Sequence, residues 1–134
     1  MGMDAWIAIS LSVYADTLDP VDLSQALKCP FDRGHRMGDR IGRGMVGQKY
    51  GHWSISEYAH DHDDINAEEA LDRIIKRVPV SVAAWSKAVG KAEARLLVTF
   101  ELTDVSLGFS MNAKHMSWLS ARKIRLDVNV YDKS

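Results

Sequence analysis

The side chains with the most chemical reach concentrate in one stretch, Arg33 to Ser54, which reads RGHRMGDRIGRGMVGQKYGHWS. Five cations (Arg33, Arg36, Arg40, Arg43 and Lys49) stand there against one acid, Asp39, and six of the chain's nine glycines separate them. A guanidinium is a planar, permanently charged fork for carboxylate or phosphate. Glycine lets backbone amides approach the same anion. Arg36 and Arg40, four residues apart, share a face if the segment is extended. The pattern predicts recognition of an anionic group or an acidic protein surface. The competing reading is a solvated loop.

The segment that follows has the opposite sign. Glu57 to Glu69 holds Glu57, Asp61, Asp63, Asp64, Glu68 and Glu69 and no Lys or Arg. Within it, His60-Asp61-His62-Asp63-Asp64 offers imidazole and carboxylate, both proper metal ligands. No further ligand follows at a recognisable spacing, so His52 or His115 would have to arrive through folding. Acids gathered before a helix N-terminus, where the helix dipole favours them, account for the same residues. No metal is expected.

Gly42-Arg-Gly44-Met-Val-Gly47 matches G-x-G-x-x-G, but a dinucleotide site needs a helix after the glycines to hold the pyrophosphate. Gln48 to Tyr58 reads as strand, so the motif is a hairpin tip and no cofactor is expected. Cys29 and His35 sit in no nucleophile motif, and no catalytic residue is assigned. Trp53 and Trp85 fit a core, whereas Trp6 and Trp118 suit an edge or an interface.

The elements that position these residues follow from periodicity. Trp6 to Tyr14 alternates, with Ile7, Ile9, Leu11 and Val13 on one face, as in a half-buried strand. Asp19-Pro20 starts a short helix with Leu23, Ala26 and Leu27 on one face, and Cys29-Pro30 ends it. A ragged strand over Met37 to Ile41 and a second strand over His52 to Tyr58 make a hairpin with a long tip. Asn66 caps a helix with the stripe Leu71, Ile74, Ile75 and Val78. Pro79 breaks it. Val80 to Val89 continues as a second helix, with Val82, Trp85 and Val89 inward and Gly90 past its end. Glu93 to Leu102 is the clearest strand, and Val105 to Phe109 extends the sheet. Ser110 caps a short helix carrying Met116 and Leu119. Ile124 to Tyr131 closes the chain as a strand with Ile124, Leu126, Val128 and Val130 inward.

Strands with one apolar face, and helices enough to cover it, make an α+β two-layer sandwich. The expected sheet is mostly antiparallel, of four to five strands, with a ferredoxin-like arrangement as the nearest plan. The 134 residues, 1–134, suffice for a single domain with its own core. A net charge of −1 gives no overall pull toward nucleic acid or membrane. No aromatic ladder is interleaved with the arginines, which also argues against nucleic acid. No apolar run spans a bilayer and no signal peptide opens the chain. One cysteine, with no intrachain disulfide to form, fits a cytoplasmic location.

Several landmarks together resemble a bacterial domain-of-unknown-function family, number 4279. They are the opening strand ending in Tyr14, Leu18-Asp19-Pro20, Arg33-Gly-His-Arg36-Met-Gly38-Asp39, Gly51-His-Trp53-Ser54, and the closing Leu126-Asp-Val-Asn-Val-Tyr131. They span nearly the whole chain. Met37 stands where the family pattern prefers Lys. The resemblance implies an α+β fold and a small stand-alone bacterial protein. It implies no activity, and some members look like immunity proteins of toxin systems.

Three functional expectations follow. The first is a non-catalytic protein-binding domain, an immunity-type inhibitor of a bacterial toxin in its most concrete form. Arg33, Arg36, Asp39, Arg40 and Arg43 supply the contacts, with His52 and Trp53 at the base of the loop and the acidic segment beside it. The second is a small-molecule site, or a hydrolase-like enzyme, in which the same loop holds phosphate or carboxylate and His52, His60 or Asp63 supplies acid–base chemistry. A pocket of roughly 300 Å³ or more bordered by these groups would favour the second. Self-association through Trp6 or an exposed strand edge, giving a homodimer, is a third expectation.

Overall fold

The computed structural model describes residues 6–39, 49–60, 66–102 and 109–132. Arg40, Arg43, Asp61, His62, Asp63, Asp64 and the proposed strand at 105–108 lie outside the described residues. The elements run β1 (Trp6–Ala15), α1 (Pro20–Leu27), β2 (Arg33–His35), β3 (Gly51–His60), α2 (Ala67–Arg77), α3 (Val82–Val89), β4 (Glu93–Leu102), α4 (Ala113–Ala121) and β5 (Arg125–Asp132). The strands form one sheet in the order β2-β3-β1-β4-β5. The first three neighbouring pairs are antiparallel. β5 alone joins in parallel, alongside β4. The order β2-β3-β1-β4, with helices in the β1-to-β2 and β3-to-β4 connections, is the ferredoxin-like plan, and α4 with β5 extends it. The two-layer α+β expectation therefore holds.

Strand periodicity decides the layers. Ile7, Ile9, Leu11 and Val13 of β1, Trp53 and Ile55 of β3, and Leu96 and Val98 of β4 are buried on one face, and the apolar sides of all four helices gather there. Trp53 is fully buried, and its indole Nε1 donates to Ser24 Oγ of α1 at 2.9 Å. Trp85 Nε1 donates to the Arg122 carbonyl at 3.1 Å, which ties α3 to the end of α4. Arg122 lies 4.3 Å over the Trp118 ring and donates to the Val80 carbonyl. A cation held by ring and carbonyl closes this corner, with no carboxylate paired to it among the described residues.

The helix starts follow ordinary capping chemistry. Asp19 accepts from the Val21 N–H and Pro20 occupies the first turn, where its missing N–H costs nothing. Asn66 accepts from Glu69 N–H and Ser81 from Ala84 N–H. α2 stops at Arg77 ahead of Pro79, as expected. α1 ends on Lys28 in the left-handed region at φ 55°, and α3 on Gly90 at φ 59°.

Four local readings are corrected. The strand before the glycine loop is Arg33–His35, not a segment around Met37, because Arg36 to Asp39 turns instead. Asp39 accepts from Arg36 N–H at 2.8 Å, and Gly38 takes φ 91°. Asn112, not Ser110, caps α4, since its amide oxygen reaches His115 N–H. Val82 of α3 is exposed rather than inward. In β5 only the preceding Ile124 is buried, while Leu126, Val128 and Val130 are exposed. The apolar period of β5 is real, but β5 is the outermost strand and the helix layer stops short of it.

Candidate functional site

The second face of the sheet carries no helix among the described residues. Its side chains are the alternate phase of each strand: Trp6 to Tyr14 in β1, Arg33 and His35 in β2, His52 to Tyr58 in β3, Glu93 to Glu101 in β4, and Arg125 to Tyr131 in β5. Along β1 and β3 the middle is lined by small residues, with Leu97 of β4 beside Ser10. Ser10 and Ser56 share a hydroxyl hydrogen bond at 2.8 Å across β1 and β3, and Ser12 and Ser54 are buried. Large side chains rise at both ends of this serine floor, so the face is a trough.

At one end a cleft of about 560 Å³ opens over Ser12, Tyr14, Tyr50, His52, Glu93 and Arg95, closed by Ala15, Asp16 and Lys91. At the other, a hollow of about 250 Å³ lies between Trp6, Thr99, Glu101 and Tyr131. Trp6 meets Tyr58 edge to face beside it, with ring centroids 6.3 Å apart.

The cleft is framed by rings and by a charge network. His35 and His52 are direct cross-strand partners with centroids 5.4 Å apart, and Tyr50 packs against both His35 and Tyr14. Burial first, then the His35 and Arg95 charges, hold the His52 imidazole below its ordinary titration range, so it stands neutral near pH 7. His35 Nδ1 is buried without a hydrogen-bond partner. The Glu93 carboxylate, hydrogen-bonded to the Tyr14 phenol, is the main cause of that phenol's raised pKa. Arg125 donates to the Tyr14 oxygen at 3.3 Å and to Asp127, and Arg95 pairs with Asp127 at 3.4 Å while lying over the Tyr14 ring. Each of these charges therefore meets an opposite charge or a hydrogen-bond partner. The cleft presents a neutral imidazole, phenols and compensated charges rather than a bare anion trap.

The structure distributes the sequence-nominated residues unevenly. Arg33 and His52 lie on this face, and Arg36 is exposed on the turn that leaves β2. Asp39 pins that turn. Trp53 is on the opposite, helix-covered face. β3 includes His60 at its end. Glu57 also points to the helix side, where Arg77 bonds it at 3.1 Å and Arg73 approaches at 3.9 Å. Among the described residues, the cleft borders only His52 of the groups nominated for a small-molecule site. No group of three or more His, Cys, Asp or Glu converges as a metal site among the described residues. Cys29 is buried, and burial raises its thiol pKa, which disfavours the reactive thiolate.

Tyr14, Tyr50, Glu93, Arg95, Arg125 and Asp127 were not nominated. The signal for most of them is the polar phase of the strands: Arg95 alternates with Leu96 and Asp127 with Leu126. No helix among the described residues is long and apolar enough to cross a membrane.

A family model described as Domain of unknown function (DUF4279) matches residues 5–133, and the chain belongs to that family. No curated protein and no solved structure matches it.

Proposed function

We propose that this member of the DUF4279 family is a non-catalytic protein-binding domain that receives its partner on the open face of the sheet. One observation carries the reading. An entire sheet face lacks a helix among the described residues, and it is shaped as a trough with Trp, Tyr, His and Arg at its ends. Aromatic and Arg side chains supply most binding energy in protein interfaces. The compensated charges of the trough suit a complementary surface more than a lone anion. Arg33 and Arg36 extend the face past its β2 edge, with Arg40 and Arg43 following in the sequence. In its most concrete form the protein is an immunity-type inhibitor acting in the cytoplasm of a bacterium, where blocking a toxin needs shape and charge and no nucleophile or metal.

The test is affinity capture from the native cells at low and moderate salt. A single stoichiometric partner is expected, weakened by salt. Arg33→Glu combined with Tyr50→Ala should lose it, as should Arg36→Glu with Arg40→Glu, while Glu68→Lys on the helix layer should keep it. Undiminished capture by the open-face variants would reject the site.

A second reading has its own support. The cleft volume of about 560 Å³ lies within the range of ligand sites, and His52 is held neutral inside it. A carboxylate or phosphate metabolite seated there would raise the melting temperature in proportion to its occupancy, and His52→Ala would abolish the shift.

A further inference from the structure

We propose that β5 is a pairing edge for a second copy of this chain, joined antiparallel about a two-fold axis through Val128, so that two five-stranded sheets run on as one. β5 binds β4 on one side, and no strand pairs with its outer side among the described residues. Leu126, Val128 and Val130 are in register with Leu96, Val98 and Phe100 of β4. The β4 residues are buried, whereas those of β5 are 43%, 51% and 61% exposed. An apolar row thus continues one strand beyond the helix layer that covers its neighbours.

Sheet edges that must stay single are commonly guarded by lysine, proline, a bulge or short length. β5 has eight residues, RLDVNVYD, with neither Lys nor Pro, and its register with β4 runs without a bulge. Such an edge is open to pairing, since Arg125 and Asp127, the charges near its start, pair with each other on the polar face.

The complementarity of β5 with itself selects the occupant. Centred on Val128, antiparallel pairing sets Leu126 opposite Val130 and Val128 opposite Val128 on the apolar side. On the polar side Arg125 meets Tyr131, a cation beside a phenol ring, and Asp127 meets Asn129. No like charges oppose each other, and Asp127 is already neutralised by Arg95 and Arg125. Moving the centre to Leu126 would draw in Ile124, which is buried, and Lys123, whose φ of 56° is incompatible with a strand. The Val128 register pairs seven of the eight strand residues and, unlike one centred on Asn129, sets Leu126 opposite an apolar residue rather than Asp132. A two-fold contact also closes on itself and leaves no free β5 edge. The row faces the helix side of the sheet, so this inference stands or falls independently of the open-face reading.

The experiment is sedimentation equilibrium on the full chain. A dimer is expected. Val128→Lys with Val130→Lys, both at exposed positions, should weaken dimerisation at least about tenfold without altering the circular dichroism spectrum. Register is read separately by mild oxidation. Val128→Cys should link to its own copy, whereas Arg125→Cys, facing Tyr131, should not, and the buried Cys29 does not compete. If the double lysine variant unfolds, the cysteine result alone decides. A monomer at every concentration, a dimer that survives both lysines, or cross-linking at Arg125→Cys but not at Val128→Cys would overturn the proposal. So would a monomer whose partner capture is lost in the lysine variant, which would assign the edge to a foreign strand.

Discussion

His115 Nε2 lies 2.6 Å from Asp72 Oδ1, joining the first turn of α4 to α2. Its other nitrogen, Nδ1, accepts from Asn112 N–H at 3.3 Å, so the ring proton resides on Nε2 and is donated to the carboxylate. The ring is 1% exposed, and both nitrogens are committed to structure. His115→Ala should lower the unfolding free energy by about 2–4 kcal/mol, through the cavity and the stranded Asn112 N–H. Asp72→Asn, which keeps an acceptor oxygen, should cost about 1 kcal/mol or less. Urea denaturation of the two variants ranks them.

The Arg77 guanidinium grips Asp32 with two bonds of 2.8 and 2.9 Å and also reaches Glu57 and the Ser56 carbonyl. Its hydrogen bonds are the first cause of a depressed Asp32 pKa. A depressed carboxylate contributes stability that is fully present above its unfolded value of 3.8 and is lost as pH falls through its lower folded value. The Asp32 side chain is 41% exposed, so solvent screening limits the contribution to about 1 kcal/mol. Wild type should therefore lose stability on acidification to about pH 3, and Arg77→Gln should remove much of that slope. Urea midpoints at several pH values measure it. Equal slopes in both proteins would show that the pair is not the titrating unit.

His52 should titrate below 6.5, the value from which burial, His35 and Arg95 displace it. The sign of the linkage follows. Stability from the neutral ring is complete above 6.5 and declines as pH falls through the lower folded value. Arg95→Gln and His35→Gln should each move the ring part of the way back up. Heteronuclear NMR of the imidazole resolves all three proteins, and an unshifted His52 in the wild type would contradict the burial argument.

Gly51 opens β3 directly against the Leu18 carbonyl, and an added Cβ would overlap that backbone oxygen. Gly51→Ala should destabilise by about 2–3 kcal/mol or prevent folding, because backbone on both sides must shift. Gly38 is different. A Cβ there meets nothing within 4 Å, but φ is 91°, so Gly38→Ala should cost only about 1 kcal/mol of backbone strain. Thermal melts of the two variants separate crowding from strain.

The elements legible in the sequence were those with long, clean periods. β4 was read to its boundaries, and Asp19-Pro20, Asn66 and Gly90 announced helix ends by local chemistry that tertiary contacts did not override. The reading failed where local pattern is silent about neighbours. Leu126, Val128 and Val130 alternate as a buried face should, yet burial depends on whether a helix lies above, and strand order is not encoded in alternation. The cleft eluded the same reading because Tyr14, Tyr50, Arg95 and Arg125 come from β1, the approach to β3, β4 and β5, and only the sheet order brings them together. Arg33 and His52 share the open face because β2 pairs with β3, although the strand expected there lay further along, at Met37 to Ile41.

The first strand of the chain is the middle strand of the sheet. Trp6 pairs with His60 on one side and with Glu101 on the other, so β1 leaves the ribosome long before either flank exists. Its β3 flank arrives only after α1 and β2 have been made, and its β4 flank only after both following helices. Such non-local closure slows folding, because loop entropy is spent before the contacts that reward it are made. A chain stalled before β4 would carry a half-matched β1 with one naked side, and its solubility during synthesis would depend on how quickly β3 arrives.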